Sequence, residues 1–166
     1  MKKLTALMLA LLLCCTCLTA LAYDALYPVT QKVLDYLNEV DVNYKVSYTP
    51  GNPTEEITIP AVYQELDKHY DITVRINGEN GYASLLVWDI CSYTDEQLDL
   101  VCRFLSRLNL EVRYFKFYTE DDNTVSLCYQ LPLMGDVEAD GTAVVKALSF
   151  IPDAMAYVFE ELEKGI

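Results

Sequence analysis

Residues 94–133, TDEQLDLVCRFLSRLNLEVRYFKFYTEDDNTVSLCYQLPL, predict a capped helix that leads directly into an aromatic β-hairpin. Thr94 and Gln97 have the spacing of a capping box, and apolar residues then recur at intervals of three and four. Asn109 is predicted to end the helix. The predicted buried stripe consists of Leu98, Val101, Cys102, Leu105 and Leu108. We expect the rest of the chain to cover this helix–hairpin unit.

The hairpin is predicted to join strands 112–119 and 124–131 through a four-residue turn, with Thr119 opposite Thr124. In that register Phe115 and Phe117 lie on the face away from the core. The predicted core face consists of Val112, Tyr114, Lys116, Tyr118, Val125, Leu127, Tyr129 and Leu131. A change of one residue in the turn length would change this pairing.

The flanking sequence predicts the other elements of one small domain. We expect a helix over residues 27–40 and strands over 43–48, 70–76 and 82–90, with helices over 142–150 and 153–164 separated by Pro152. Residues 57–63 are apolar, but Pro60 limits them to an edge strand or an irregular piece. The prediction is a single α+β domain over residues 23–166, an antiparallel sheet packed by helices in the order α-β-β-β-α-β-β-α.

The N-terminus has the pattern of an export signal. Lys2 and Lys3 precede an uncharged apolar run over residues 4–22 that closes on Ala20-Leu21-Ala22, the small-residue pattern before a cleavage site. We therefore expect a signal peptide over residues 1–22 and an exported protein, in the periplasm, at the cell surface or outside the cell. An uncleaved membrane anchor is the alternative, since the apolar run is nearly long enough to span a bilayer.

The composition excludes several classes of partner. Twenty-five acidic residues against twelve basic ones give a net charge of −13, so a nucleic-acid partner is not expected. Anionic lipid surfaces are disfavoured for the same reason, which leaves membrane contact only through the N-terminal segment if it is uncleaved.

The candidate chemical groups do not form a known motif. His69 is the one histidine, and Cys91, Cys102 and Cys128, which follow the signal, contain no CxxC pair for zinc or redox chemistry, although one disulfide among them is open. We expect no catalytic residues, no cofactor and no metal. The alternatives are a small hydrolase that uses carboxylates or Cys91, and an acidic calcium-binding protein of the cell surface. Residues 136–141 imitate the start of an EF-hand loop, but Ala147 stands where its bidentate Glu is needed.

Aromatic residues are the more informative signal, because the chain has thirteen Tyr, five Phe and one Trp. If Ile76 pairs with Gly81 in the preceding hairpin, Leu86 and Trp88 lie on the sheet face opposite Ile72. With Phe115 and Phe117 they would form an exposed apolar face, which usually marks a partner or dimer surface. Trp88, Phe115 and Phe117 are therefore the predicted contacts for a polypeptide or for a second copy of the chain.

Residues 103–136 resemble the YbjN-type family of bacterial sensory transduction regulators. The shared features are a leucine-rich helix with Leu105, Leu108 and Asn109, an aromatic hairpin with Phe117, and the pair Leu131-Pro132 after its second strand. The resemblance implies a fold similar to that of type III secretion chaperones, in which a curved sheet and helices form a dimer that holds an extended peptide. It implies no catalytic residues. Many relatives are cytoplasmic, whereas the predicted signal indicates that this chain is exported. The leading hypothesis is thus an exported, non-enzymatic binding or chaperone-like domain.

Overall fold

The computed structural model describes residues 24–164, and the predicted signal peptide lies outside these residues. The helices are α1 (Pro28–Glu39), α2 (Leu98–Glu111), α3 (Val137–Ser149) and α4 (Ile151–Glu163). The strands are β1 (Lys45–Tyr48), β2 (Thr54–Tyr63), β3 (Lys68–Asn77), β4 (Tyr82–Ser92), β5 (Lys116–Thr119) and β6 (Thr124–Pro132). Short 3-10 turns at Gln64–Leu66 and Asp95–Gln97 precede β3 and α2.

The strands form one antiparallel sheet in the order β1-β2-β3-β4-β6-β5. This sheet and its helices confirm the predicted α+β class, with β2 as an additional full strand. Pro60 nevertheless occupies an edge-like position, as expected for a residue without a backbone N–H to donate. Because β1 pairs only with residues 55–58 of β2, Pro60 lies where that side of β2 has no neighbouring strand in the described structure.

One face of the sheet, here called the inner face, carries the hydrophobic core. Alternate residues of the central strands point to it, and apolar side chains of all four helices complete the same cluster. The strand contributions include Ile57, Ile59, Ile72, Val74, Ile76, Leu85, Val87, Val125 and Leu127. The helices therefore form a layer on the inner face, and the opposite side is here called the outer face.

Helix α2 begins as predicted but buries a different stripe. The capping box of Thr94 and Gln97 is present, and the Thr94 N–H donates to Gln97 Oε1 at 2.9 Å. Phe104 is buried together with Val101, Leu105 and Leu108, whereas Leu98 and Cys102 are exposed. With about 3.6 residues per turn, the side of the helix that carries Val101, Phe104, Leu105 and Leu108 leaves Leu98 and Cys102 on its flank.

The predicted register of the β5–β6 hairpin is wrong by one residue. Thr119 pairs with Val125, and the Glu120 N–H donates to the Thr124 carbonyl, so the loop has three residues instead of four. Asn123 at its end has φ +62°, which is the left-handed residue that closes a three-residue hairpin loop. Because successive side chains alternate, this single step exchanges the two faces of β5.

The β3–β4 hairpin differs by two residues from the assumed pairing, since Ile76 pairs with Ala83. A shift of two leaves each side chain on its expected face, so Leu86 lies opposite the core face as expected. Gly78 in this loop allows a close approach, because a Cβ there would lie 2.2 Å from the ring of Tyr27. The loop and the start of α1 therefore fit together only with glycine at this position.

The closing helices are core elements of this domain. The segment 137–163 has the length and apolar composition of a membrane span, but it divides at Phe150 and buries Val144, Leu148, Met155 and Val158 in the core. Burial on the sheet accounts for the apolar composition of this segment.

Helices α1 and α3 pack closely through Gly141 of α3, where a Cβ would lie 2.8 Å from the Lys32 Cβ of α1. The predicted helix break at Pro152 agrees with its place in the first turn of α4.

Candidate functional site

The outer face presents two cross-strand rows of side chains. The first row runs Ser47, Glu56, Arg75, Ser84 and Gln130, and the second runs Lys45, Thr58, Thr73, Leu86, Cys128 and Lys116. Leu86 is buried and yet lies outside the core cluster formed with the helices. The described helices contribute their apolar side chains to the inner face, so the outer face is the open side of the sheet.

Arg75 is held at the centre of this face by two neighbours. Its Nε donates to Glu56 Oε2 at 2.7 Å, and its guanidinium lies 5.5 Å from the ring centroid of Trp88. An ion pair on one side and a cation–π contact on the other fix the orientation of the guanidinium. Arg75 and Trp88 therefore form an ordered pair that still faces solvent, with 42% of the Arg75 side chain and 36% of Trp88 exposed.

Trp88 lies where β4 becomes irregular. The β4–β6 register shifts between Val87 and Cys91, and Asp89 has φ +54°. Bulges of this kind re-aim a side chain near functional sites. Here Trp88 directly follows Val87, the last residue before the register shift, and its ring lies beside Arg75.

Tyr118 extends the cluster on the neighbouring strands. Burial, together with a hydrogen bond to Glu120, raises the pKa of Tyr118 to about 12, and Arg75 is near enough to oppose that shift. The hydroxyl of Tyr118 therefore stays protonated and donates its hydrogen to the Glu120 carboxylate. Opposite Tyr118, Ser126 is fully buried, and its Oγ has no hydrogen-bond partner among residues 24–164. Arg75, Trp88 and Tyr118 are here called the outer-face triad.

A polar groove of about 390 Å³ adjoins the triad. Arg75, Glu56 and Tyr82 form one side, and the end of β1 and the loop after it contribute Tyr48 and Asn52. The groove leads from the triad toward the β1 edge of the sheet. It extends the available surface to one large enough for an elongated ligand.

Two of the three predicted contact residues are not on this face. Phe115 and Phe117 are 2% and 3% exposed and belong to the core, so the expectation that they are displayed is wrong. The cause is the three-residue hairpin loop, which turns Phe117 inward opposite Leu127. Tyr114, predicted to be in the core, is instead 67% exposed and precedes β5. Of the predicted set, Trp88 alone is on the open face.

Sequence reasoning missed Arg75 and Tyr118 for the same reason. Each lies on a predicted strand, and alternation alone places Arg75 on the face of the sheet away from Ile76. The signal that identifies them is the cross-strand register, which brings Glu56 next to Arg75. The predicted four-residue loop places Tyr118 on the core face, whereas the three-residue loop places it on the outer face.

The candidate chemical groups, His69 and the three cysteines, lie in ordinary structural environments. The side chain of His69 is 73% exposed and lies 3.4 Å from Asp67 Oδ1. Partial burial raises the pKa of the Cys91 thiol, which works against thiolate chemistry, and Cys91, Cys102 and Cys128 are free thiols.

In the segment that resembles the start of an EF-hand loop, two aspartates accept hydrogen bonds from backbone N–H groups. Asp136 caps α3 by accepting from the Glu138 and Ala139 N–H groups at 3.1 Å each. Asp140 accepts from the Met134 and Gly135 N–H groups at 2.9 Å each. Across residues 24–164 the structure contains no group of three or more His, Cys, Asp or Glu side chains placed to hold a metal.

A six-stranded antiparallel sheet with helices on one face defines the class of this α+β domain. Residues 54–164 match the YbjN family, described as "Putative bacterial sensory transduction regulator", and the chain belongs to this family. Its fold is similar to the crystal structure of YbjN from E. coli, titled a "putative transcription regulator", with a TM-score of 0.51 and 12% identity. That alignment covers 80% of this chain and 93% of the other. No match is found among curated protein sequences.

Proposed function

We propose that this chain is an exported, non-enzymatic binding domain that acts through protein–protein contacts. Its outer face would hold an extended polypeptide segment across the outer-face triad and the adjoining groove. The predicted signal over residues 1–22 is the reason for placing it outside the cytoplasm. Membership of a regulator-like family supports a binding or regulatory role over catalysis.

The observation that carries the proposal is the outer-face triad itself. Arg75, Trp88 and Tyr118 are the three residue types most enriched in the energetic centres of protein interfaces. Here all three lie on the open side of the sheet, and Arg75 is already oriented by Glu56 and Trp88. Preorganised side chains lose less conformational entropy on binding, so this face is suited to capture a partner.

The chemistry of the face favours a polypeptide as the occupant. A net charge of −13 works against nucleic acid and anionic membrane surfaces. The rows offer hydroxyl, amide and charged side chains around the aromatic centre, which matches the mixed composition of protein interfaces. A second copy of the chain is the other protein that this surface would accommodate.

The test is an unbiased selection of random peptides on the chain without residues 1–22, followed by affinity measurement on variants. The Trp88→Ala and Arg75→Ala variants should each lose about 2 kcal/mol of binding free energy, or roughly thirtyfold in affinity. Leu100→Ala is the control, because Leu100 is 45% exposed on α2 and lies outside this face. Separately, mass spectrometry of the protein recovered after expression of the full-length chain in an exporting bacterial host should show a mature N-terminus at Tyr23.

Selected peptides that bind both variants as tightly as the parent would sink the proposal for this face. Light scattering tests whether a second copy of the chain occupies the face. If the parent is a dimer and Trp88→Asp makes it a monomer, a second copy occupies the face in place of a peptide.

A further inference from the structure

An apolar pocket of about 320 Å³ opens at the other side of the sheet, between β6 and α3. It exists because β5 begins at Lys116, opposite Cys128, so the next inward residue of β6, Tyr129, extends beyond the end of β5. Phe115 fills part of this space, with its ring edge-on to Tyr129 at 5.6 Å between centroids. The walls are Ala143 and Ala147 of α3.

Two solvent-exposed rings stand at the opening of the pocket. Tyr114 and Phe150 stack with their centroids 6.2 Å apart and their planes 14° apart, while 67% and 43% of their surfaces remain exposed. Stacked aromatic rings that stay accessible offer a flat apolar surface to a ligand. The pocket thus combines a buried aromatic floor with an aromatic rim.

Lys146 is the charged residue among the described side chains that line the pocket. It is exposed, and no carboxylate of residues 24–164 lies within ion-pair distance of its Nζ. Lys32, the other lysine of the α1–α3 region, is by contrast paired with Glu138. A free ammonium group therefore stands beside an apolar cavity in a strongly acidic protein.

We propose that this pocket binds a small amphiphilic carboxylate, an aliphatic or aryl acid with one anionic group. The apolar body lies against Phe115 and Tyr129, and the carboxylate pairs with Lys146. The volume is at the lower end of the range for small-molecule sites, about 300–1,000 Å³, and burial of the apolar body supplies the main driving force. Because the net charge repels anions elsewhere, Lys146 determines which end of the ligand faces outward. The site is separate from the outer face and does not depend on its function.

The experiment is a titration of the chain without residues 1–22, which contains every described element, with octanoate and with 1-octanol. Backbone amide chemical shifts in two-dimensional NMR give both affinity and location. Octanoate should shift the amides of Phe115, Tyr129 and Ala147. Lys146→Met should weaken octanoate binding roughly threefold to fivefold, the factor expected for an exposed ion pair, and leave octanol binding unchanged.

Two further variants make the result decisive. Lys45→Met removes another exposed lysine, at the opposite edge of the sheet, and should change neither affinity. Ala143→Trp fills the pocket from an exposed helix position and should abolish binding of both ligands, with the rest of the spectrum unchanged. Octanoate that leaves the pocket amides unshifted, or that binds Lys146→Met and Ala143→Trp as well as the parent, overturns the proposal.

Discussion

Glu55 shows how much one residue of the sheet contributes to the N-terminal part of the fold. Its side chain is fully buried on the inner face of β2 and accepts hydrogen bonds from the Leu26 and Tyr27 N–H groups at 2.6 and 3.1 Å. The Thr30 hydroxyl donates to the same carboxylate at 2.5 Å. Tyr27 is the N-cap of α1 and supplies no side-chain cap of its own. Glu55 therefore acts as a cap that arrives from a distant strand.

The first prediction concerns this carboxylate. Glu55→Gln should lower the free energy of unfolding by about 2–3 kcal/mol, because hydrogen bonds to a buried charged acceptor are replaced by weaker ones and an amide N–H₂ must face donors. Urea denaturation followed by circular dichroism measures the change.

The neighbouring residue provides the control. Glu56 is on the outer face, where 33% of its side chain and 42% of that of Arg75 are exposed, so Glu56→Gln should cost less than about 1 kcal/mol. Equal losses for the two variants would contradict the assigned role of Glu55.

At this scale the sequence predicted the sheet face of Trp88 correctly and the structural role of Glu55 not at all. Glu55 and Glu56 are adjacent acidic residues, and both appear equally suited to a solvated position. The difference arises only because alternation places one on each face and the N-terminal segment returns to the inner face. No local pattern carries information on a partner 25 to 29 residues away.

Among the elements, α2 and β5 are linked by hydrogen bonds of the Asn109 side chain. Asn109 Nδ2 donates to the Phe117 carbonyl at 2.9 Å, and the Phe117 N–H donates to Asn109 Oδ1 at 2.8 Å. The amide group thus pairs with β5 as another strand would, on the side of β5 that faces away from β6. Edge strands are commonly protected in some such way. The helix continues to Glu111, so Asn109 does not end it as predicted but has this clamping role.

The prediction for this clamp is a local loss of stability at the edge of the sheet. Asn109→Ala should lower the free energy of unfolding by about 1–3 kcal/mol for two lost hydrogen bonds. The Phe117 amide should exchange with deuterium at least tenfold faster. Hydrogen exchange measured by NMR reports both effects.

A matched amide serves as the comparison. Asn38 makes one exposed hydrogen bond, from the Tyr44 hydroxyl at 3.0 Å, so Asn38→Ala should have little effect. If the Phe117 amide keeps its protection in Asn109→Ala, the clamp does not hold β5.

The β5–β6 hairpin explains why element prediction succeeded and face prediction did not. The existence of both strands follows from their β-branched and aromatic residues. The loop sequence Glu120-Asp121-Asp122-Asn123 is compatible with three or four residues, because Asn adopts the left-handed conformation that the shorter loop needs. A difference of one residue in the loop length decides whether Phe115 and Phe117 lie in the core or on the surface.

For the whole molecule, the decisive feature is that the helices cover one face of the sheet. The class of fold was predictable because alternating strands and amphipathic helices fix a two-layer arrangement. The identity of the open face was not, because it requires the pairing of all six strands. Once the register is known, Glu56, Arg75 and Trp88 become neighbours, and the candidate site follows.

Trp88 is the only tryptophan of the chain, so its fluorescence reports directly on the outer face. The most direct measurement is its emission and acrylamide quenching while a selected peptide is titrated to saturation, with occupancy followed by calorimetry. Because the proposed partner covers Trp88, emission should shift to shorter wavelength and the quenching constant should fall in step with occupancy. Unchanged emission and quenching at full occupancy would contradict the assignment of the outer face as the binding surface.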